Sequence, residues 1–429
     1  MVYLHVPFCR SFCTYCDFYS EIASPGRDAQ LFEDFTEAVC AEASRRRDEI
    51  EATRDLNTLY IGGGTPSVLP LSLLRKMVAA CSCNHRFRLM TGGVPPEPPA
   101  LLRSGSMKQP TASLMTGGEM EFTVEVNPED IVEKGAEYVR GLLELGVNRI
   151  SMGVQSLDDG ILRWMNRRHD AARARKAFGI LRDAGVQNIS VDLIFGLSQL
   201  SEAVLAQTLR EIAAWRPEHV SAYQLSIEEG SALGRMLREG RYTEASQEEC
   251  AAQYALLCRM LREAGYNHYE ISNWALPGFE SVHNSAYWTR HPYVGLGPGA
   301  HSFDGRVRSW NQKIIPGQRQ LTPENVLPCS TLPTACSNGP LPLTKPRMAT
   351  VFRGDCSLIE GEELLSEEEA REETVMLGLR TAQGVAEGLL NTANATEMLA
   401  DGRLMRVGDR FRIPEDRWFI SDDIIADLL

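Results

Sequence analysis

The chain alternates short apolar runs with longer stretches whose apolar positions recur at i, i+3 and i+4. The runs are Val2–Val6, Thr58–Ile61, Glu121–Val126, Arg149–Val154, Ile189–Ile194 and Val220–Leu225. The helical stretches include Gln30–Ala43, Gly135–Leu145, Ala171–Ala184 and Leu200–Trp215. Extended runs separated by crossover helices predict a parallel sheet, whose neighbouring strands cannot be joined by a tight turn. Gly146, Gly185 and Gly265 each close a helical pattern and precede an extended run, where a left-handed residue is wanted. Six such units predict an α/β fold, an open or partial (β/α)6 barrel rather than a full eight-unit one. Function is then expected at the C-terminal ends of the strands.

Two segments break this rhythm. Residues 82–118 are rich in Pro, Gly, Ser and Met, and repeat Leu89-Met90-Thr91-Gly92-Gly93 as Leu114-Met115-Thr116-Gly117-Gly118, which reads as a duplication inside an insertion. Residues 314–355 hold seven prolines between Pro316 and Pro346 and show no period. Low order is expected in both. Beyond Glu360, an acidic helix start at Ser366 leads into Thr374–Leu379, and the remainder predicts a small, mainly helical C-terminal accessory domain with a strand pair around Leu404–Ile413. The expected division is a core over 1–235, a barrel extension over 236–313, a disordered linker over 314–355 and the accessory domain over 356–429.

Composition narrows the function. The 429 residues are 43% hydrophobic and 24% charged, enough for a large core. A formal charge of −13, from 44 basic and 57 acidic residues, would repel a phosphate backbone and excludes nucleic acid as principal partner. No run of 18 apolar residues occurs and the first residues enter a strand directly, so neither leader nor membrane span is expected and the reading is cytoplasmic. Charge runs such as Arg45-Arg46-Arg47 and Glu367–Glu369 read as solvated helix faces. Eleven cysteines, three of them within residues 9–16, do not form the even spacing of a disulfide framework. Clustered thiols in a reducing compartment suggest metal. Cys81, Cys83, Cys329, Cys336 and Cys356 read as incidental.

The strongest chemical signal is Cys9-Arg-Ser-Phe-Cys13-Thr-Tyr-Cys16, directly after the first run. Three thiolates on one loop can hold three irons of a cubane cluster and leave the fourth iron open for an exchangeable ligand. The same residues are also compatible with a zinc site completed by His5, or with three unrelated buried thiols. Gly62-Gly63-Gly64-Thr65-Pro66-Ser67 follows the second run, where glycine permits close backbone approach, although alone it reads equally as a turn.

With these motifs together, the chain resembles the radical S-adenosylmethionine superfamily. Glu125-Val-Asn-Pro128, Gly153-Val-Gln-Ser156, Asn166-Arg167, Asp192-Leu-Ile-Phe-Gly-Leu197 and Ser221-Ala-Tyr-Gln-Leu225 resemble its coproporphyrinogen III dehydrogenase-like branch. The resemblance implies a [4Fe-4S] cluster on Cys9, Cys13 and Cys16. It also implies S-adenosylmethionine against Tyr3, Gly63, Gly64, Thr65, Glu125, Gln155, Arg167 and Asp192, with Tyr15 beside the cluster. In the family, the open iron binds the methionyl group, and the reduced cluster cleaves the molecule to methionine and a 5′-deoxyadenosyl radical. Carboxylates at strand ends suit ribose hydroxyls or an ammonium, and Arg167 could clamp a carboxylate bidentately.

Within the branch, the chain resembles the HemW-type heme chaperones more than the dehydrogenase. The dehydrogenase carries a further cysteine two positions after the third ligand, where Asp17-Phe18 stands here, and a longer segment before its cluster. His283-Asn284-Ser-Ala-Tyr287-Trp288 resembles the H-N-x-x-Y-W signature of the chaperones, with His283 as a heme ligand and Tyr287 and Trp288 as stacking residues. His301 is a second candidate, or a turn residue. The implied partners are heme, an acceptor protein, an electron donor such as flavodoxin or ferredoxin, and, less specifically, a membrane surface or a second copy. The alternative is oxidative decarboxylation of coproporphyrinogen III propionates.

Overall fold

In the sheet strands, apolar side chains alternate with polar ones, and the alternation assigns the two faces. Leu4, Ile61, Val124, Met152 and Val191 are fully buried in the main core, whereas Tyr60, Glu125, Ser151 and Asp192 point the other way, into a cavity. A sheet covered by helices on one face and curled around a polar space on the other needs this pattern; one buried on both faces would read as continuously apolar.

The computed structural model describes residues 1–24, 26–81, 120–313, 359–390 and 392–429. Residues 82–118 and 314–355, read above as insertions, lie outside the described residues, as do Cys83, Cys329, Cys336 and Cys356. Among the described residues the main sheet has nine strands: β1 Val2–Val6, β2 Thr58–Gly63, β3 Glu121–Val126, β4 Arg149–Gln155, β5 Ile189–Phe195, β6 His219–Gln224, β7 Asn267–Glu270, β8 Asn273–Ala275 and β9 Val294–Leu296. Their order is β9-β1-β2-β3-β4-β5-β6-β8-β7. β1 to β6 are the six predicted units, all parallel. β9 adds in parallel beside β1, while β8 and β7 close the other edge antiparallel. The sheet is therefore an open barrel wall.

Crossover helices cover the apolar face: α1 Ala29–Arg45, α2 Leu71–Cys81, α3 Pro128–Glu144, α4 Ala171–Asp183 and α5 Glu202–Trp215. α3 breaks at Gly135, at φ 69°, which is where the sequence pattern starts its helix. Gly146, Gly185 and Gly265 take φ of 99°, 98° and 90°, the left-handed geometry expected of them.

One charge reading needs correction. Arg46 is 9% exposed, not solvated. Its guanidinium donates to Gly295 O and Ser302 Oγ at 2.8 and 2.9 Å and pairs with buried Glu42, whose other oxygen accepts Gly297 N–H at 2.9 Å. A periodicity argument places Arg46 at the helix end but cannot see that β9 returns to meet it.

Helix Glu367–Leu379 opens with a capping box between Ser366 and Glu369. A small sheet of Val385–Ala386, Met405–Val407 and Arg410–Arg412 contains the predicted strand pair. This C-terminal unit hydrogen-bonds to β7 and its turn through Ala382 N to Tyr269 O and Ile271 N to Arg380 O, both at 3.0 Å. Strand Ile359–Leu364 pairs instead with Val307–Asn311. Among the described residues, no helix is long and apolar enough to cross a membrane.

Candidate functional site

The register of the strands places the polar positions in one patch. Glu125 stands opposite Ser151, Gly153 opposite Asp192, and Asp192 opposite Ser221. Their side chains converge with the cysteine loop on a cavity of about 620 Å³ at the C-terminal ends of the strands. Cys9, Cys13, Cys16, Tyr15, Gly63, Gly64, Thr65, Glu125, Gln155, Arg167 and Asp192 all line it, so the set read from separate motifs is one place. Tyr3 is the exception. Its ring lies behind Tyr60, with centroids 6.1 Å apart, and its hydroxyl pairs with His5 Nδ1 at 3.0 Å.

The cysteine loop is held at both ends. Phe8–Cys9 pairs with Glu21–Ile22, Asn166 Nδ2 donates to Phe12 O at 2.7 Å, and Thr14 N donates to Met165 O at 3.0 Å. Thr65 Oγ1 lies 3.4 Å from Cys9 Sγ, and Arg167 NH1 donates to Cys13 Sγ at 3.4 Å. Between these contacts runs Asn127, donating to Thr65 Oγ1 at 3.1 Å and accepting from Arg167 NH2 at 2.7 Å. Three βα units thereby brace one loop. The resemblance casts Arg167 as a carboxylate clamp; in the structure its NH groups serve Cys13, Asn127 and the Gly153 carbonyl, and its buried Nε has no hydrogen-bond partner among the described residues. A Cβ at Gly153 would meet Gln155 Nε2 at 2.9 Å and Asn127 Oδ1 at 3.3 Å, so a side chain there would push these side-chain ends out of the crossing.

Three soft thiols on one braced loop fit a cubane cluster with one open iron. Donors aimed at two of the sulfurs suit thiolate charge. The zinc alternative loses its fourth ligand, since His5 Nε2 pairs with Tyr19 O at 2.9 Å and Nδ1 with Tyr3.

On the floor, Glu125 accepts from the Tyr60 hydroxyl at 2.8 Å and the Gly63 N–H at 3.1 Å. Burial pushes its carboxyl up to about 7; those two hydrogen bonds oppose the rise and Asp192 adds to it. Burial likewise pushes Asp192 up to about 6 against hydrogen bonds from Ser151, Ser221 and Ser190. The folded chain thus holds a proton on Glu125 more tightly than the unfolded chain does. That contribution to stability is complete at low pH and is lost as pH rises from the ordinary 4.5 through about 7. Glu125→Gln is expected to remove this loss, on the order of 3 kcal/mol, from the difference between urea unfolding at about pH 5 and about pH 8. An unchanged pH slope would contradict the assignment.

Sequence reasoning missed Tyr60, Asn127, Ser151 and Tyr223 in the cavity wall. For Tyr60, Ser151 and Tyr223 the signal was the period-two polar positions inside otherwise apolar strands, and for Asn127 it was its place between the strand end and the helix opening at Pro128.

Residues 3–212 match the Radical SAM superfamily model. Heme chaperone HemW of Mycobacterium tuberculosis is 30% identical over 435 aligned positions, covering 100% of this chain and 94% of that protein. The chain belongs to the HemW family. Heme chaperone HemW of Lactococcus lactis is similar as well, 31% identical over 72% of this chain and 71% of its own length. The solved structure of coproporphyrinogen III oxidase (HemN) from Escherichia coli shares the fold, with a TM-score of 0.69 over 99% of this chain and 89% of that one at 17% identity.

In this HemW-family chain, the structure corrects the reading of the H-N-x-x-Y-W segment. His283 is 1% exposed, beneath the cavity rather than in it. Its Nδ1 pairs with Thr58 Oγ1 at 2.8 Å and its Nε2 with the Tyr287 hydroxyl at 3.1 Å, so neither nitrogen is open to an iron. Burial holds the imidazole neutral, lowered to about 3. Tyr287 packs edge-on against His283 and Tyr293, and Trp288 is half-buried. Asn284 is the segment's contribution to the cavity lining. His301 sits exposed on a strand, stacked on Trp310, not in a turn. His283→Ala is expected to cost about 2–4 kcal/mol in urea unfolding, through the emptied space and the abandoned Thr58 and Tyr287 hydroxyls. A loss below about 1 kcal/mol would mean that the segment is not held by this ring.

Proposed function

We propose that the chain captures heme and hands it to an acceptor protein, on a scaffold holding a [4Fe-4S] cluster and S-adenosylmethionine. The observation that carries this reading is the match along the whole chain to relatives named as heme chaperones. The Asp17-Phe18 pair agrees with it, standing where the dehydrogenase has another thiol.

When bound, the cluster supplies an electron at low potential and an open coordination position for the methionyl group. Cys9, Cys13 and Cys16 would hold it, with Thr65 and Arg167 stabilising negative charge on two of the sulfurs. Glu125 and Asp192, fixed by Tyr60 and Ser151, offer acceptors to ribose hydroxyls or an ammonium. Heme is cargo in this reading. At the cavity rim, Phe12, Phe18 and Tyr223 are 47%, 73% and 44% exposed, an apolar edge that suits a porphyrin face better than the enclosed His283 does. Phe18→Ser is expected to weaken heme binding about tenfold, the worth of roughly half a buried Phe side chain, with the cluster spectrum unchanged. Equal affinity would move heme away from this rim. An electron donor such as flavodoxin or ferredoxin completes the proposed partners.

The experiment that separates carrier from dehydrogenase supplies coproporphyrinogen III, S-adenosylmethionine and reductant anaerobically. The carrier reading expects no sustained product. Stoichiometric formation of protoporphyrinogen and 5′-deoxyadenosine over many turnovers would overturn it.

A further inference from the structure

Away from the cavity, Cys258, His268 and Glu415 meet where the C-terminal unit is seated on the barrel. Cys258 comes from helix Gln247–Glu263, His268 from β7, and Glu415 from the first position of the turn Glu415–Ile420. One sulfur, one ring nitrogen and one carboxylate oxygen all lie within 4.8 Å of one another. His268 Nδ1 is 3.1 Å from Glu415 Oε1 and 4.0 Å from Cys258 Sγ.

The imidazole is fixed in this orientation. It stacks on Trp274 at 4.1 Å and meets the edge of Trp418 at 4.3 Å. Its Nε2 faces the Ile271 carbonyl at 3.4 Å and the Tyr254 hydroxyl at 3.5 Å, and that hydroxyl donates to the same carbonyl at 3.0 Å. Both ring nitrogens face acceptors: Nδ1 donates its proton to the nearer Glu415 oxygen, and Nε2 can hold that proton on the Ile271 carbonyl when a cation takes its place at Nδ1. Three electron-pair donors from three separate segments then share one small space. Arg262 reaches Glu415 Oε1 at 2.7 Å, but it is a 60% exposed side chain free to swing into solvent.

We propose that Cys258, His268 and Glu415 bind a zinc-class divalent cation that pins the C-terminal unit to the barrel. Thiolate, imidazole and carboxylate together are a borderline-soft donor set suited to zinc, with a fourth position left for water. A ring nitrogen held on a backbone carbonyl is the usual outer contact of a ligating histidine. Binding displaces the Cys258 thiol proton to solvent, the imidazole proton passes from Nδ1 to Nε2, where the Ile271 carbonyl accepts it, and Arg262 releases the carboxylate.

The test uses the full chain carrying Cys9→Ala, Cys13→Ala and Cys16→Ala, so that the cluster loop does not compete, with zinc chloride as probe. The expected result is about one zinc per chain retained through gel filtration, and a melting temperature raised by about 3 °C or more. Adding Glu415→Gln or His268→Gln is expected to abolish the shift, and Cys258→Ser to lower retention about tenfold or more. Glu415 is partly exposed at a turn, so its variant keeps the test readable if a core variant fails to fold. Zinc retained equally by all variants, which would place it on other thiols, or not retained by the background chain, would overturn the proposal.

Discussion

Cys13→Ala is expected to leave the anaerobically reconstituted protein with less than about half the wild-type iron and no cubane absorption band. Two losses coincide at this residue. One of three thiolates disappears, and so does the sulfur that receives Arg167 NH1, leaving a buried guanidinium with Asn127 and the Gly153 carbonyl as its remaining partners among the described residues. Cys40→Ala is the control, because Cys40 lies on α1 and not on the cavity. Iron and sulfide analysis with a visible spectrum decides the matter. Wild-type iron in Cys13→Ala would mean that the loop is not the ligand set.

Gly64→Ala is expected to cost about 1–3 kcal/mol in urea unfolding and to weaken cluster retention. A Cβ at this position would stand 2.7 Å from Phe8 O, 2.9 Å from Phe8 N and 2.9 Å from Val6 O. All three are backbone atoms, so no side chain can rotate out of the way. Gly64 N also donates to Val6 O at 2.8 Å, so the start of the cysteine loop and the end of β2 are in direct contact. The strain can be relieved only by moving Phe8, and Cys9 moves with it. Gly179, in α4 with nothing within 4 Å of its would-be Cβ, supplies the comparison: Gly179→Ala is expected to be neutral or stabilising by up to about 1 kcal/mol. Equal behaviour of the two variants would contradict the close approach.

What could be read in the sequence follows from the range of the forces involved. The six parallel strands and their helices show through local periodicity, and the residues at their ends fall together because a parallel sheet gathers all such ends on one edge. The positions of the cysteine loop and the glycine turn were legible for that reason, whereas Glu125 entered only through the resemblance of its motif. β9, β8 and β7 were not, because each is three or four residues long and owes its place to pairing across the sheet edges. Asn127 was quoted within a motif, yet its bridging role depends on Thr65 and Arg167, each about 40–60 residues away. His283 shows the opposite failure. A histidine beside two aromatics suggested a ligand, whereas the fold turns the ring onto Thr58 and Tyr287 beneath the cavity. Tyr3 and Arg46 were misplaced for the same reason: the identity of a residue is local, and what packs over it is not.

Heme capture is decided by an anaerobic heme titration of the wild-type chain, followed at the Soret band and repeated with His283→Ala. Saturation at about one heme per chain is expected in the wild type, and the same stoichiometry in whatever fraction of His283→Ala remains folded. Absence of saturable binding in the wild type would contradict the carrier function. Loss of the Soret signal in a fully folded His283→Ala chain would contradict the placement of heme at the Phe12 and Phe18 rim.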